Sequence, residues 1–334
     1  LGNYISIYNL IIPTASSMLF YFLIGFSFGS KPGVVISAGY FMAFFTSFTG
    51  FMASITGLAS TLVGLINIIP AIERSRPIIE CPPEVSADAS SPGQLMGEIE
   101  VRNLYFSYEK NGPMILEDVS INSAPGEFIA LVGPSGSGKS TLLKILLGFD
   151  PPHSGSAYFD QKELKDLDIN AVRKQIGVVT QESGVLAGSV FQNIVGASNR
   201  SLDDAWEAAK MAGLDQDIDK MPMGMHTVIS EGGSTISGGQ RQRLLIARAL
   251  INKPRIIFFD EATSALDNKT QKTVSDSLEQ MNATRIVVAH RLSTIQNADR
   301  IYVLEKGRIV ETGNFESLIE AQGLFSRLAS RQMT

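Results

Sequence analysis

Residues 1–72 contain almost no charge: Lys31 is the only Asp, Glu, Lys or Arg side chain among them. Uncharged stretches of that length are rare in soluble domains, whose surfaces need charge. Cysteine is equally scarce. Cys81 stands alone among 334 residues, so no intrachain disulfide can form, and no Cys/His spacing for a metal is present. A basic excess is missing too. With 28 Lys and Arg against 33 Asp and Glu, the net charge is −5, which argues against a nucleic-acid partner that would need a basic face. The first residues also lack the basic region and cleavage site of a signal peptide. A start at Leu1, running at once into apolar sequence, predicts a truncation with earlier membrane helices missing.

What is present begins with two apolar runs. Residues 9–28 are uncharged and as a helix would measure about 30 Å, the thickness of a bilayer's hydrocarbon core. Gly29-Ser30-Lys31-Pro32-Gly33 then breaks the helix. A second run, residues 34–72, would reach about 58 Å as one helix, well beyond the bilayer. Its first half is aromatic (Tyr40, Phe41, Phe44, Phe45, Phe48, Phe51), and its second carries Ser54, Thr56, Ser60, Thr61 and Asn67. That change predicts a helix leaving the membrane to line a cavity or reach the cytosol. Arg74 and Arg76 place its end in the cytoplasm. The alternative is a pair of buried core helices in a soluble protein. Residues 76–97, rich in Pro, Ser, Ala and Glu without an apolar period, read as a linker. The expected organisation is a partial transmembrane domain at 1–75, the linker, and a soluble domain over 98–334.

The soluble domain carries chemistry. The apolar run Phe128-Ile-Ala-Leu-Val predicts a buried strand, and it leads into Gly133-Pro-Ser135-Gly136-Ser137-Gly138-Lys139-Ser140-Thr141. This is the phosphate-binding pattern G-x-x-x-x-G-K-[ST] in its strand–loop–helix setting. Glycines let backbone N–H groups turn toward phosphates, Lys139 would reach the β- and γ-phosphates, and Ser140 would bind Mg²⁺. A second apolar strand ends in Asp260-Glu261. There Asp260 would complete the Mg²⁺ shell, and Glu261 would orient or deprotonate the attacking water.

Ile236-Ser237-Gly238-Gly239-Gln240 separates this sequence from other phosphate-loop proteins. It resembles the signature of the ATP-binding cassette (ABC) family, with Ile where Leu is usual. The resemblance implies that this segment contacts the γ-phosphate of an ATP held by an opposite subunit. It further implies that Tyr108 stacks on adenine and that Gln181 senses Mg²⁺ and faces the membrane domain. Asp267 would lie in the loop crossing the dimer interface, and His290 at the γ-phosphate. Glu231-Gly-Gly and the fusion of membrane helices ahead of the cassette resemble exporters. The fold implied is the last two transmembrane helices of an ABC exporter, followed by an α/β P-loop NTPase domain with a helical subdomain. The stretches 203–214, 221–231, 282–285 and 323–333 are similar to bacteriocin-type peptide exporters with nitrile-hydratase-like leaders, or else form the helical surface of a generic exporter. The implied protein is an ATP hydrolase with ATP and Mg²⁺, multi-pass in the cytoplasmic membrane. Its partners would be a second half-transporter, an identical chain, together with membrane lipid and an exported peptide, for which a lipid or drug is the alternative. A soluble DNA-repair ATPase and a non-hydrolysing regulatory module are the rivals. The first needs a basic surface and the second should lack Glu261 or His290.

Overall fold

The structure is a computed structural model and describes residues 2–29, 37–81, 83–85, 88–109, 112–181, 183–233, 235–260, 268–289 and 292–333. It divides into two units, Leu1–Pro83 and Glu84–Thr334.

The first unit holds helices α1 (Gly2–Gly29) and α2 (Ala38–Ile79). Helix α2 starts where the Ser37 hydroxyl accepts the Tyr40 N–H, and it has no buried residue. At 42 residues it is about 63 Å long. Among the described residues it is the helix long and apolar enough to cross a membrane. Its hydroxyls close on their own helix: Thr46 donates to Met42 O, Ser47 to Ala43 O, Ser54 to Gly50 O and Thr56 to Met52 O. Such back-bonding satisfies a polar group that apolar surroundings would otherwise penalise. The hydroxyls of the second half therefore do not by themselves require a wet cavity. Phe20 of α1 stacks on Phe44 and Phe48 of α2, with centroids 5.4 and 4.4 Å apart.

The stretch expected as a linker is divided between the two units. Helix α2 continues through Pro77 to Ile79. Proline removes one helical hydrogen bond, but the last turn is closed by Glu80 N–H donating to Arg76 O and by the Arg76–Glu80 ion pair at 2.7 Å. From Glu84 onward the chain is strapped to the second unit. Ser90 N–H donates to Asp166 O and Ser90 O accepts from Asp168 N–H, both at 2.8 Å. Leu95 is buried, and its N–H donates to Gln175 Oε1. The Asp160 carboxylate accepts from the N–H groups of Met96, Gly97 and Glu98.

The second unit is built on two sheets. Strands β1 (Ile99–Phe106), β2 (Leu116–Ser123), β4 (Ser154–Phe159) and β5 (Lys162–Glu163) form an antiparallel sheet in the order β2-β1-β4-β5. Strands β3 (Phe128–Val132), β6 (Ile176–Val179), β9 (Ile256–Asp260), β10 (Thr284–Val288), β11 (Arg300–Glu305) and β12 (Arg308–Gly313) form the other. Its order is β12-β11-β3-β10-β9-β6, parallel except for β12. A short pair, β7 (Gly188–Ser189) and β8 (Val228–Ile229), lies apart.

Helices cover this frame. Helix α3 (Lys139–Leu146) follows β3, and α4 (Ile169–Arg173) precedes β6. Between β7 and β9 come α5 (Val190–Val195), α6 (Leu202–Met211), α7 (Asp215–Asp219) and α8 (Gly238–Leu250), a helical subdomain. After β9 come α9 (Asn268–Gln280), α10 (Leu292–Ile295), α11 (Phe315–Glu320) and α12 (Leu324–Met333).

The central strands are apolar throughout because both faces of the parallel sheet are covered. Ile129, Leu131, Phe258, Ile286 and Val288 pack with α3 and the antiparallel sheet. Their alternates Ala130, Val132, Phe259 and Val287 pack with the helical subdomain. Side chains alternate faces along a strand, so one five-residue strand feeds two cores. Each fully buried Leu, Ile or Phe contributes about 1.5–3 kcal/mol by leaving water.

Candidate nucleotide site

The phosphate loop sits where β3 ends and α3 begins. Two of its glycines are required by space. A Cβ on Gly133 (φ +156°) would lie 2.1 Å from Leu304 O, and one on Gly138 (φ +104°) would lie 2.6 Å from Leu116 Cδ2. Ser135 and Gly136 are exposed at the loop's tip, while Ser137 and Thr141 are buried. The Lys139 ammonium is buried and donates to Gly133 O and Pro134 O, both at 2.9 Å. Its charge is thus held inside the loop, beside the open N-terminal end of α3, where an anion is favoured by both the dipole and the free N–H groups. Ser140 is exposed in the first turn of that helix.

Tyr108 joins this cradle. Its hydroxyl lies 3.3 Å from Thr141 Oγ1, and Phe106 meets its ring edge-on at 5.0 Å. The ring is nonetheless 58% exposed, which leaves a face for a planar ligand. Ser107 Oγ approaches His153 Nε2 at 2.7 Å, fixing the strand end that carries the tyrosine.

The parallel sheet brings the remaining groups to the same edge. Val288 of β10 is in register with both Leu131 of β3 and Asp260 of β9. Asp260 therefore ends its strand level with the phosphate loop and two strands away, about 10 Å. Val179 of β6 pairs with Phe259, so the segment after β6 leaves the sheet beside Asp260. There Ser183 N–H donates to Thr180 O, closing a turn that leaves Gln181 exposed. Ligands bind at this carboxyl edge of parallel sheets. Glu261, Asp267 and His290, the other residues expected here, lie outside the described residues.

The signature is not joined to this cradle. Ser237 caps α8 by accepting the Gln240 N–H, and the Gln240 side chain accepts the Ser237 N–H. Gln240 Nε2 also donates to Asp217 Oδ1 at 3.0 Å, and Arg243 pairs with the other oxygen of Asp217. Ser237 and Gly238 are exposed, and Gly239 and Gln240 half-buried. The bonds of this helix start therefore run into the helical subdomain. Its backbone N–H end is presented outward.

Sequence reasoning missed the fastener behind these loops. Arg248 of α8 donates from Nε to Asn193 O at 2.6 Å, from Nη2 to Asn193 Oδ1 at 2.6 Å and from Nη1 to Gly184 O at 3.1 Å. Asn193, itself buried, donates to Leu186 O. Burial lowers the Arg248 pKa from its ordinary value, yet a guanidinium stays charged. The signature helix is thereby tied to the segment that follows Gln181. The only sequence signal was an arginine inside an apolar helix stretch. Gly232 N–H donates to Val185 O at 3.3 Å, so the Glu231-Gly-Gly stretch meets the same segment.

The family model described as ABC transporter matches residues 116–264, which include the phosphate loop, the signature and Asp260. Over that stretch the chain is similar to the ABC transporter family. It is 43% identical over 77% of its length to "Multidrug resistance protein 1" of Entamoeba histolytica, covering 20% of that protein. It is 40% identical over 79% of its length to "Leukotoxin export ATP-binding protein LtxB" of Aggregatibacter actinomycetemcomitans, covering 38% of it. A similar 40% over 78% holds for "Alpha-hemolysin translocation ATP-binding protein HlyB" of Escherichia coli, again 38% covered. The chain thus spans well under half the length of these curated relatives. Among solved structures, a bacterial Atm1-family ABC exporter with ATP bound aligns with a TM-score of 0.84 and 29% identity, over 100% of this chain and 59% of that one. The second unit has the fold of an ABC-type cassette, and the order of a long apolar helix before it resembles that of the solved exporter.

Proposed function

We propose that this chain is part of a half-transporter that exports a substrate across the cytoplasmic membrane, powered by ATP hydrolysed between two cassettes. The observation that carries the reading is a division of labour within one chain. The cradle of Lys139, Ser140, Tyr108 and Asp260 lies at the sheet edge. The signature helix start, Ser237 to Gln240 in sequence, is bonded into its own subdomain and presents its N-terminal end elsewhere. A second chain, in this reading an identical one, supplies Ser237, Gly238, Gly239 and Gln240 to each cradle, and Asp267 crosses the interface.

Tyr108 stacks on the adenine, and the loop N–H groups of Gly136, Ser137 and Gly138 with Lys139 hold the phosphates. The oxygen donors of Ser140, Gln181 and Asp260 suit the hard cation Mg²⁺, which when bound supplies charge neutralisation at the phosphates. Glu261 orients or deprotonates the attacking water, and His290 reaches the γ-phosphate. Closure of the two cassettes drives the membrane helices outward-facing, and product release resets them. Helix α2, with Arg74 and Arg76 near its C-terminal end, delivers that end to the cytoplasmic side. The substrate is a peptide, in line with the toxin-export names of two relatives and the resemblance of residues 203–214 and 221–231 to peptide exporters.

The test of the chemistry is Glu261→Gln in the full-length protein. Nucleotide binding should persist while turnover falls about 10²- to 10³-fold. Wild-type turnover in that variant would remove Glu261 from its role. For the substrate, the reconstituted transporter is given labelled peptides and amphipathic drugs in parallel. Uptake of drugs alone would overturn the peptide assignment and leave the ATPase reading intact.

A further inference from the structure

The strap that enters the cassette after α2 is gathered by one guanidinium. Arg173, the last residue of α4, donates from Nε to Leu147 O at 2.8 Å and from Nη2 to Gly148 O at 3.1 Å. Its Nη1 pairs with Glu84 at 2.7 Å, and its plane lies over the Phe149 ring, 4.5 Å from the centroid. Leu147 is the C-cap of α3, the helix whose first turn carries Lys139, Ser140 and Thr141. Beyond Arg173 the chain passes Gln175, which holds Leu95 N–H and Gly93 O of the strap, and then enters β6 toward Gln181.

Physical chemistry favours arginine here. A cation at the C-terminus of α3 meets the negative end of its dipole and its unsatisfied carbonyls. Only a planar, multi-donor group bonds two carbonyls and a carboxylate at once while stacking on a ring. Helix α3 has eight residues, about 12 Å, so a displacement at its last carbonyls is felt at the phosphate loop. Glu84 is the first residue of the second unit and follows the end of α2, at Ile79, by five positions.

We propose that Arg173 is a positioning residue for nucleotide turnover: the clamp through which the covalent continuation of α2 and the phosphate-loop helix bias one another. This rests on the ATP-driven reading above and adds a route within the chain itself, beside any contact between a cassette and membrane loops. Glu84 is the removable half of the clamp, because Arg173 keeps both carbonyls without it.

The experiment uses the full-length transporter in lipid nanodiscs, with a nitroxide on Cys81 and any cysteine upstream of this chain replaced. Cys81 is exposed and lies three positions before Glu84. In the wild type, Mg·ATP with vanadate should change the mobility of the label. In Glu84→Gln that change should shrink about fivefold or more, the lower range of allosteric couplings, while ATP affinity stays within about twofold. Glu84→Asp should restore it, which a purely structural staple would not require. A full response in Glu84→Gln, or no response in a wild type that binds ATP, overturns the clamp and leaves the nucleotide site standing. A wild type that binds no ATP overturns the nucleotide reading instead, and the clamp with it.

Discussion

The two units hide their polar groups in the same way but their apolar groups in opposite ways. Helix α2 buries nothing within the described structure, and Phe44, Phe51, Leu58 and Ile66 are each more than half exposed. In the cassette, Phe258, Phe259, Ile129 and Leu131 are sealed between layers of the same chain. Polar groups are closed internally in both, by hydroxyl back-bonding in α2 and by capping boxes in the cassette, as at Ser189, Ser201 and Ser237. The difference therefore lies in what covers hydrocarbon. The cassette covers its own, while α2 depends on lipid or on other helices.

Equal truncations in the two units test this most strongly. Phe258→Ala should destabilise the cassette by about 3–5 kcal/mol through lost burial and a cavity, read as a large fall in its thermal unfolding midpoint. Phe51→Ala, at a ring 61% exposed, should leave that midpoint in place. Comparable shifts from both would break the comparison. A smaller effect sharpens it within the cassette, where an exposed aromatic is covered by a ligand rather than by lipid. Tyr108→Ala should raise the KM for ATP about 5- to 10-fold, the loss of roughly 1–1.5 kcal/mol of stacking, with kcat and unfolding midpoint nearly unchanged. A loss of stability without a change in KM would make Tyr108 a packing residue.

The smallest effect concerns a closed polar group. The Asp204 carboxyl is held below its ordinary pKa, first by the Ser201 backbone N–H and then by the Ser201 hydroxyl. A depressed carboxyl stabilises the fold above the unfolded value, about 3.9, and this is lost as pH falls through the lower folded value. Asp204→Asn should therefore flatten the acid limb of the cassette's stability-against-pH curve slightly and leave it unchanged near pH 7. An unaltered acid limb would remove Asp204 from that account.

Much of the site was legible because the local chemistry is self-contained. The all-apolar strand before Gly133 and the glycine spacing require a loop that only one strand–helix junction accommodates, and that is where β3 and α3 meet. The strap was not legible. Residues 84–97 have no period, and their order comes from partners more than 60 positions away, such as Asp160 with Gly97, Gln175 with Gly93 and Arg173 with Glu84. Reading a linker from residue 76 ended the helix too early, because a proline in a last turn costs a single bond that Arg76 and Glu80 offset. Arg248 and Asn193 escaped for the same reason as the strap: their meaning lies in carbonyls supplied by other segments.

The back-bonded hydroxyls of α2 have a mechanical consequence. A helix whose Thr46, Ser54 and Thr56 were bonded to neighbouring helices would have to break those bonds to turn or slide against them. Bonded to its own carbonyls instead, α2 presents a surface with few directional attachments, and friction against its surroundings is set by side-chain shape alone. Turning or shifting α2 against its neighbours would therefore break none of these hydroxyl bonds.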